Sequence, residues 1–280
     1  RFGGERERNV VDALDSALIA IKASGVDSPQ LDAELLVAHA LGVDRATLRI
    51  DPDRELDAAG TKWLRDAVQR RAVRREPLAY IVGTKWFRHI DLSVDRRVLI
   101  PRPETEHLVE AALELPAGAS VHVVGTGSGA VALALKQERP DLTVTASDIS
   151  AEALEVARAN ASRLGLDVAM HAGSLLAGVS WPVDAVISNP PYVPAGDKAT
   201  LAPEITRHEP ELALYGGDDG LDVVRALLAE AADTAASFVA LEIGAGQDEQ
   251  TADLMVSVGF GQTDVIEDLA GIGRVVVGRR

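Results

Sequence analysis

The sequence predicts an α/β protein: a mainly parallel sheet covered by helices on both faces, preceded by a small helical domain. Three observations carry this. From residue 120 onward, short apolar strands alternate with helical stretches. A glycine-rich turn separates the first of those strands from its helix. The first 75 residues carry helical spacing of apolar residues instead. At 280 residues the chain is long for one domain and comfortable for two, and 47% hydrophobic with 25% charged residues suits a sizeable core.

Taken in order, Val10, Val11, Leu14, Leu18 and Ile21 recur at three- and four-residue spacing and predict a first helix. Ser28-Pro29 reads as a second helix start, with the hydroxyl as cap and Pro in the first turn; Leu31, Leu35, Leu36 and Ala38 follow, and Gly42 stops it. A third helix is expected from Leu56 to about Arg75, with Trp63, Leu64, Ala67 and Val68 facing inward. Its end carries Arg65, Arg70, Arg71, Arg74 and Arg75, read as a solvated face or, alternatively, a contact for an acidic partner. Pro77 breaks the pattern. Tyr80-Ile81-Val82 and Ile90 to Val94 then read as two strands around a turn at Gly83, a hairpin bridging the two domains. Glu104 to Leu115 predicts an acid-started helix after Pro101-Arg102-Pro103.

The alternating part begins with strand Val121 to Val124, helix Ala130 to Glu138, strand Leu142 to Ala146 and helix Ala151 to Leu164. Further strands are expected at Val168–His171, Val183–Ile187, Phe238–Ile243 and Arg274–Gly278. The expected division is 1–76 helical domain, 77–97 hairpin linker and 98–280 sheet domain. In such parallel sheets, ligands bind beyond the carboxyl ends of the strands, where the strand order reverses.

Composition removes several function classes. A net charge of −15 and a pI near 4.8 repel phosphate backbones, so no direct nucleic-acid partner is expected. With no cysteine there are no disulfides, thiolate metal sites or cysteine nucleophiles. Histidines 39, 89, 107, 122, 171 and 208 lack metal-ligand spacing, so no metal is expected. Residues 1–9 are charged with no apolar signal core behind them, and no stretch suits a membrane span. A cytoplasmic protein is expected.

Two segments carry chemistry. Gly125-Thr126-Gly127-Ser128-Gly129 opens a helix, where glycines let backbone N–H groups approach a ligand. Asp148, 19 residues past Gly129, can accept from both ribose hydroxyls of a nucleoside, or can serve as a helix-capping Asp beside a tight turn. Asn189-Pro190-Pro191-Tyr192 is more specific. The prolines stiffen the turn, leaving the Asn189 side-chain oxygen and the Pro190 carbonyl as two rigid acceptors for a planar –NH2 group, with Tyr192 available to pack against it. Glu242 ends a strand, either supporting the site from behind or standing as a plain strand-end carboxylate.

These pieces resemble S-adenosylmethionine-dependent methyltransferases acting on a planar nitrogen. Arg75-Glu76-Pro77-Leu78-Ala79-Tyr80-Ile81-Val82-Gly83 and Val98-Leu99-Ile100-Pro101-Arg102-Pro103-Glu104-Thr105-Glu106 narrow the resemblance to the HemK/PrmC family of release factor N5-glutamine methyltransferases. Asp32 to Leu36, Gly216 to Leu221, and Asp268 to Gly271 with Arg274 also match. The resemblance implies a class I, Rossmann-like fold with a seven-stranded sheet and a helical domain recognising the substrate. That substrate is the glutamine of the Gly-Gly-Gln motif in class 1 release factors. By the same carry-over, Gly125, Thr126, Gly127, Ser128, Gly129, Asp148, Ser174, Leu175 and Asn189 hold S-adenosylmethionine, whose product is S-adenosylhomocysteine. Asn189, Pro190, Pro191 and Tyr192 hold the glutamine, with Asn189 and Pro190 catalytic. The family usually has an acid where this chain has Val123, and commonly one where it has Ser174. A monomer is expected. Two rival readings are an adenine-N6 methyltransferase on DNA or RNA, and a release-factor-binding protein with a weakened cofactor site.

Overall fold

A computed structural model describes residues 9–280; of the charged start, only Asn9 lies within them. The chain divides into two compact units, one holding the described residues up to Gly83 together with Ala202–His208, the other Thr84–Leu201 and Glu209–Arg280.

The first unit contains α1 (Val10–Ala23), α2 (Pro29–Leu41), α3 (Thr47–Ile50), α4 (Ala58–Val73) and α5 (Leu78–Val82). Ala17, Ile21, Ala33, Leu36 and Ala67 are buried in its core. Of the residues expected inward on α4, Leu64 and Ala67 are buried, and Trp63 and Val68 are half-buried. Ser28 is the N-cap of α2, but its side chain makes no capping bond.

Two expectations are corrected here. Tyr80-Ile81-Val82 is helical: the Pro77 carbonyl accepts from the N–H groups of Tyr80 and Ile81, and Gly83 closes α5 in the left-handed region at φ 80°. An apolar triplet after a proline suits either state, and a helical turn buries Tyr80 and Ile81. The arginine run, moreover, is largely committed within the chain. Arg71 is buried, donating to Asp32 at 2.6 Å and to Glu204 at 2.9 Å; Arg75 also donates to Glu204, and Arg70 to Glu76. Asp32 and Glu204 stand 39 and 133 residues from Arg71, beyond the reach of any local pattern.

The second unit begins with the true hairpin, β1 (Thr84–Phe87) and β2 (Ile90–Ser93), paired from Thr84↔Ser93 to Phe87↔Ile90. Its residues group with this unit. A 3-10 turn (Pro103–Thr105) and α6 (Glu106–Leu113) replace the single helix expected over 104–115. There follow β3 (Ser120–Val124), α7 (Ala130–Glu138), β4 (Thr143–Asp148), α8 (Ala151–Leu164), β5 (Ala169–Ala172) and β6 (Ala185–Ser188). The short α9 (Pro203–His208) is part of the first unit; α10 (Asp222–Ala232), β7 (Phe238–Glu242), α11 (Asp248–Ser257), β8 (Gln262–Glu267) and β9 (Gly273–Arg279) complete the chain.

The sheet order is β5-β4-β3-β6-β7-β9-β8, parallel except at β9, which runs antiparallel to both neighbours. All residues of β6 and β7 are buried, as continuous apolar strands covered on both faces should be. Strand β8 has no expected counterpart: Gln262-Thr263-Asp264-Val265-Ile266-Glu267 is a largely exposed edge strand without the apolar run that marks the buried strands. Strand order reverses between β3 and β6, whose last residues, Val124 and Ser188, are paired. The glycine turn and Asn189 therefore leave the sheet side by side.

Candidate active site

A cleft of about 630 Å³ opens at that reversal point. Gly125, Thr126, Gly127, Ser128, Asp148, Ser174, Leu175, Asn189, Pro190 and Pro191 line it, joined by Val123, Arg102, Thr105 and Tyr215. No histidine is among its lining residues.

The glycine turn needs its glycines for conformation: Gly125 and Gly127 have φ of 68° and 55°, and an added Cβ at either would meet open space. Asp148, at the end of β4, holds this turn. Its Oδ2 accepts from Gly127 N at 2.8 Å, and its Oδ1 accepts from Ser150 N at 2.9 Å. A carboxylate has about four lone-pair positions, so capacity is left for a ligand. The capping and ligand-facing readings of Asp148 are thus compatible. The Thr126 hydroxyl is buried with no partner. Gly129 differs from its neighbours: it is not a lining residue, and a Cβ there would come within 2.8 Å of Leu133. Its task is to start α7.

The loop carrying Ser174 and Leu175 is tied down from below. Ser147 Oγ donates to the Leu175 carbonyl at 3.3 Å, and Ser147 is itself bonded to His122 Nε2 at 3.0 Å. His122 is fully buried; burial, then the neighbouring His171, push its pKa down to about 4, so it is a neutral structural group. Val123 fills the cleft wall with an apolar side chain.

On the other side, Asn189 is half-buried and its Nδ2 donates to Thr105 Oγ1 at 3.3 Å. That leaves Oδ1 as the end of the carboxamide available to the cleft. Pro190 is buried and lines the cleft beside it. The Asn189–Tyr192 backbone is clamped by the glycine segment after Tyr215. A Cβ at Gly216 would lie 2.4 Å from the Pro191 carbonyl oxygen, and one at Gly220 2.1 Å from that of Tyr192. Only glycine permits this approach.

Tyr192 is placed differently from the expectation. It does not line the cleft; its hydroxyl donates to Glu242 Oε1 at 3.2 Å. Burial, reinforced by the Glu242 charge, raises the Tyr192 pKa and keeps it a neutral donor. The aromatic ring lining the cleft is Tyr215, whose hydroxyl is buried without a partner. Arg102 also lines the cleft, held by the buried Glu209 carboxylate. Thr105, Tyr215 and Arg102 drew no individual role from the sequence, because nothing local says which way they face. Glu242 is 1% exposed, and its pKa is pushed up to about 7, chiefly by burial.

Residues 12–83 match the family model of the PrmC N-terminal domain, and residues 104–218 that of the methyltransferase small domain. The chain is 44% identical over 276 residues to the release factor glutamine methyltransferase of Deinococcus radiodurans, covering 96% of this chain and 98% of that protein. It is 40% identical over 277 residues to the release factor glutamine methyltransferase of Caulobacter vibrioides, covering 96% of each. Among solved structures, a methyltransferase from Pyrococcus furiosus aligns with a TM-score of 0.51 at 22% identity, over 68% of this chain and 88% of that one. The hMettl16 catalytic domain in complex with MAT2A 3'UTR hairpin 6 aligns with a TM-score of 0.56 at 12% identity, over 79% and 81%. At these identities the two structures speak to the fold alone. Among the described residues, no helix is long and apolar enough to cross a membrane.

Proposed function

The chain belongs to the release factor glutamine methyltransferase family, and we propose that it moves a methyl group from S-adenosylmethionine to the side-chain nitrogen of the Gly-Gly-Gln glutamine in class 1 release factors. One observation carries the reading: the Asn189 carboxamide, its nitrogen engaged by Thr105, shares a single cleft with the glycine turn and Asp148.

The cleft fits the nucleoside cofactor. Gly125 and Gly127 are open to the approach of a ligand, the Thr126 hydroxyl is a buried group wanting a partner, and Asp148 retains acceptor capacity for ribose hydroxyls. Ser174 and Leu175 line the same cleft and are assigned with them to the cofactor. The apolar Val123 takes no polar part in holding the methionine end.

When bound, S-adenosylmethionine supplies a methyl carbon already activated by its sulfonium. The protein's task is to manage a poor nucleophile, an amide nitrogen whose lone pair is delocalised into its carbonyl. Asn189 Oδ1 and the Pro190 carbonyl accept the two hydrogens of the substrate –NH2, which fixes the amide plane. The same acceptors favour the positive charge that builds on nitrogen at the transition state. Orientation supplies much of the remaining rate. A methylated amide nitrogen is acidic enough to release its proton without a dedicated base.

The test is mass spectrometry of release-factor peptides after incubation with enzyme and cofactor, alongside duplex DNA. The expected result is a gain of one CH2 on the Gly-Gly-Gln glutamine. Methyl transfer to DNA adenine in its place would overturn the assignment.

A further inference from the structure

Glu242 ends β7, the strand beside β6, and is 1% exposed. A buried carboxylate is costly unless fully paired: Oε1 receives the Tyr192 hydroxyl at 3.2 Å, while Oε2 has no bonded partner and calls for a nearby donor. Thr105 stands against the same carboxylate, and its oxygen accepts from Asn189 Nδ2. A threonine hydroxyl has a single hydrogen. With the Thr105 oxygen taken by Asn189, that hydrogen is left for Glu242. An ionised carboxylate can only accept, so a Thr105 hydrogen turned toward Glu242 leaves the Thr105 oxygen to accept from Asn189 Nδ2.

We infer that Glu242 is a positioning residue for methyl transfer, its carboxylate acting through Thr105 to turn the Asn189 oxygen, and not the nitrogen, into the cleft. This rests on the function proposed above. Replacing the carboxylate with a group that donates to Thr105 reverses the row. The Thr105 hydrogen then points at Asn189, whose carboxamide flips to accept it and presents its –NH2 to the substrate –NH2, donor against donor. Protonation of Glu242 gives the carboxyl a hydrogen of its own to donate to Thr105, which permits the same reversal.

The groups facing Glu242 are Thr105 from the 3-10 turn, Tyr192 after β6, Glu104, which raises its pKa, and Arg274 on β9, which lowers it. Burial outweighs them and brings the carboxyl to about 7. Because the ionised form is the productive one, turnover falls as pH drops through that value.

The full chain is assayed on a release factor across pH as wild type, Glu242→Gln, Thr105→Val and Thr105→Ser, with cofactor affinity measured by calorimetry. Wild type is expected to show an acid limb in kcat with a midpoint near 7. Glu242→Gln is expected to lose that limb and fall about 10- to 100-fold in kcat, with cofactor Kd within about threefold. Thr105→Val should resemble it, whereas Thr105→Ser, which keeps the hydroxyl, should stay within about threefold of wild type. Equal kcat in the two threonine variants, or an intact acid limb in Glu242→Gln, overturns the inference. If Glu242→Gln does not fold, the threonine pair decides. The side-chain amide signals of Asn189 in the NMR spectrum give a second readout that needs no turnover. They should titrate with a midpoint near 7 in wild type and Thr105→Ser, but not in Thr105→Val. Absence of that titration overturns the inference, whereas wild type that titrates but methylates no glutamine overturns only the proposed function.

Discussion

Asp148 and Gly127 are joined across two neighbouring strands: the carboxylate at the end of β4 accepts from the Gly127 N–H at 2.8 Å and thereby shapes the turn after β3. The residue assigned to the ribose is thus also the residue that builds the glycine turn.

Asp148→Ala is accordingly expected to cost both cofactor affinity and stability. The N–H groups of Gly127 and Ser150 lose their acceptor, worth about 1–3 kcal/mol if they stay buried. Calorimetry should show cofactor Kd raised about tenfold or more. A variant with wild-type affinity would remove Asp148 from the cofactor site.

Asn189→Ala separates chemistry from cofactor binding. Deleting one of two acceptors on the substrate amide should lower kcat about 100-fold while cofactor Kd changes less than about threefold. Equal losses in both would mean that the main task of Asn189 lies with the cofactor.

Asn160 tests the hairpin's attachment. Fully buried on α8, it accepts from Ser93 N at 2.8 Å and donates to the carbonyls of Ser93 and Ser128 at 3.0 and 2.9 Å. Asn160→Ala should lower unfolding free energy by about 2–3 kcal/mol, measured by urea titration, with Asn160→Asp only partly rescuing because it lacks the two donors.

Arg71 compensates two carboxylates in the first unit. Arg71→Ala leaves Asp32 without its 2.6 Å partner and weakens the hold on Glu204, a buried loss of about 3–5 kcal/mol. Arg71→Lys should recover part of it, a point charge replacing a fork. Indistinguishable melting curves would show the network to be solvated.

His122 gives stability a pH dependence of definite sign. Its pKa is about 4 in the fold against 6.5 when free, so its contribution is complete above 6.5 and is lost as pH falls toward 4, by about 3 kcal/mol in full. Glu242 works oppositely: with its pKa raised from 4.5 to about 7, its contribution is complete below 4.5 and fades as pH rises through 7. His122→Gln should flatten the acid side of the stability profile. A slope unchanged in that variant would assign the acid loss to other groups.

What local sequence determined was whatever short-range physics controls. Ala130–Glu138 and Ala151–Leu164 are helices at the residues expected, because periodicity and the glycine or serine before each start act within a few residues. The strands bordering the cleft were legible for a similar reason, being buried on both faces and therefore mostly apolar. Asn189-Pro190-Pro191-Tyr192 was legible as a stiff turn following a strand, since proline acts on its own neighbours. Tertiary structure alone decided that Tyr192 turns to Glu242 while Tyr215 lines the cleft, that Arg71 meets Asp32 and Glu204, and that Thr105 holds the Asn189 nitrogen. Each is a contact between residues far apart in the chain. Its direction depends on which strand ends the fold brings together, and no pattern of neighbouring residues encodes that.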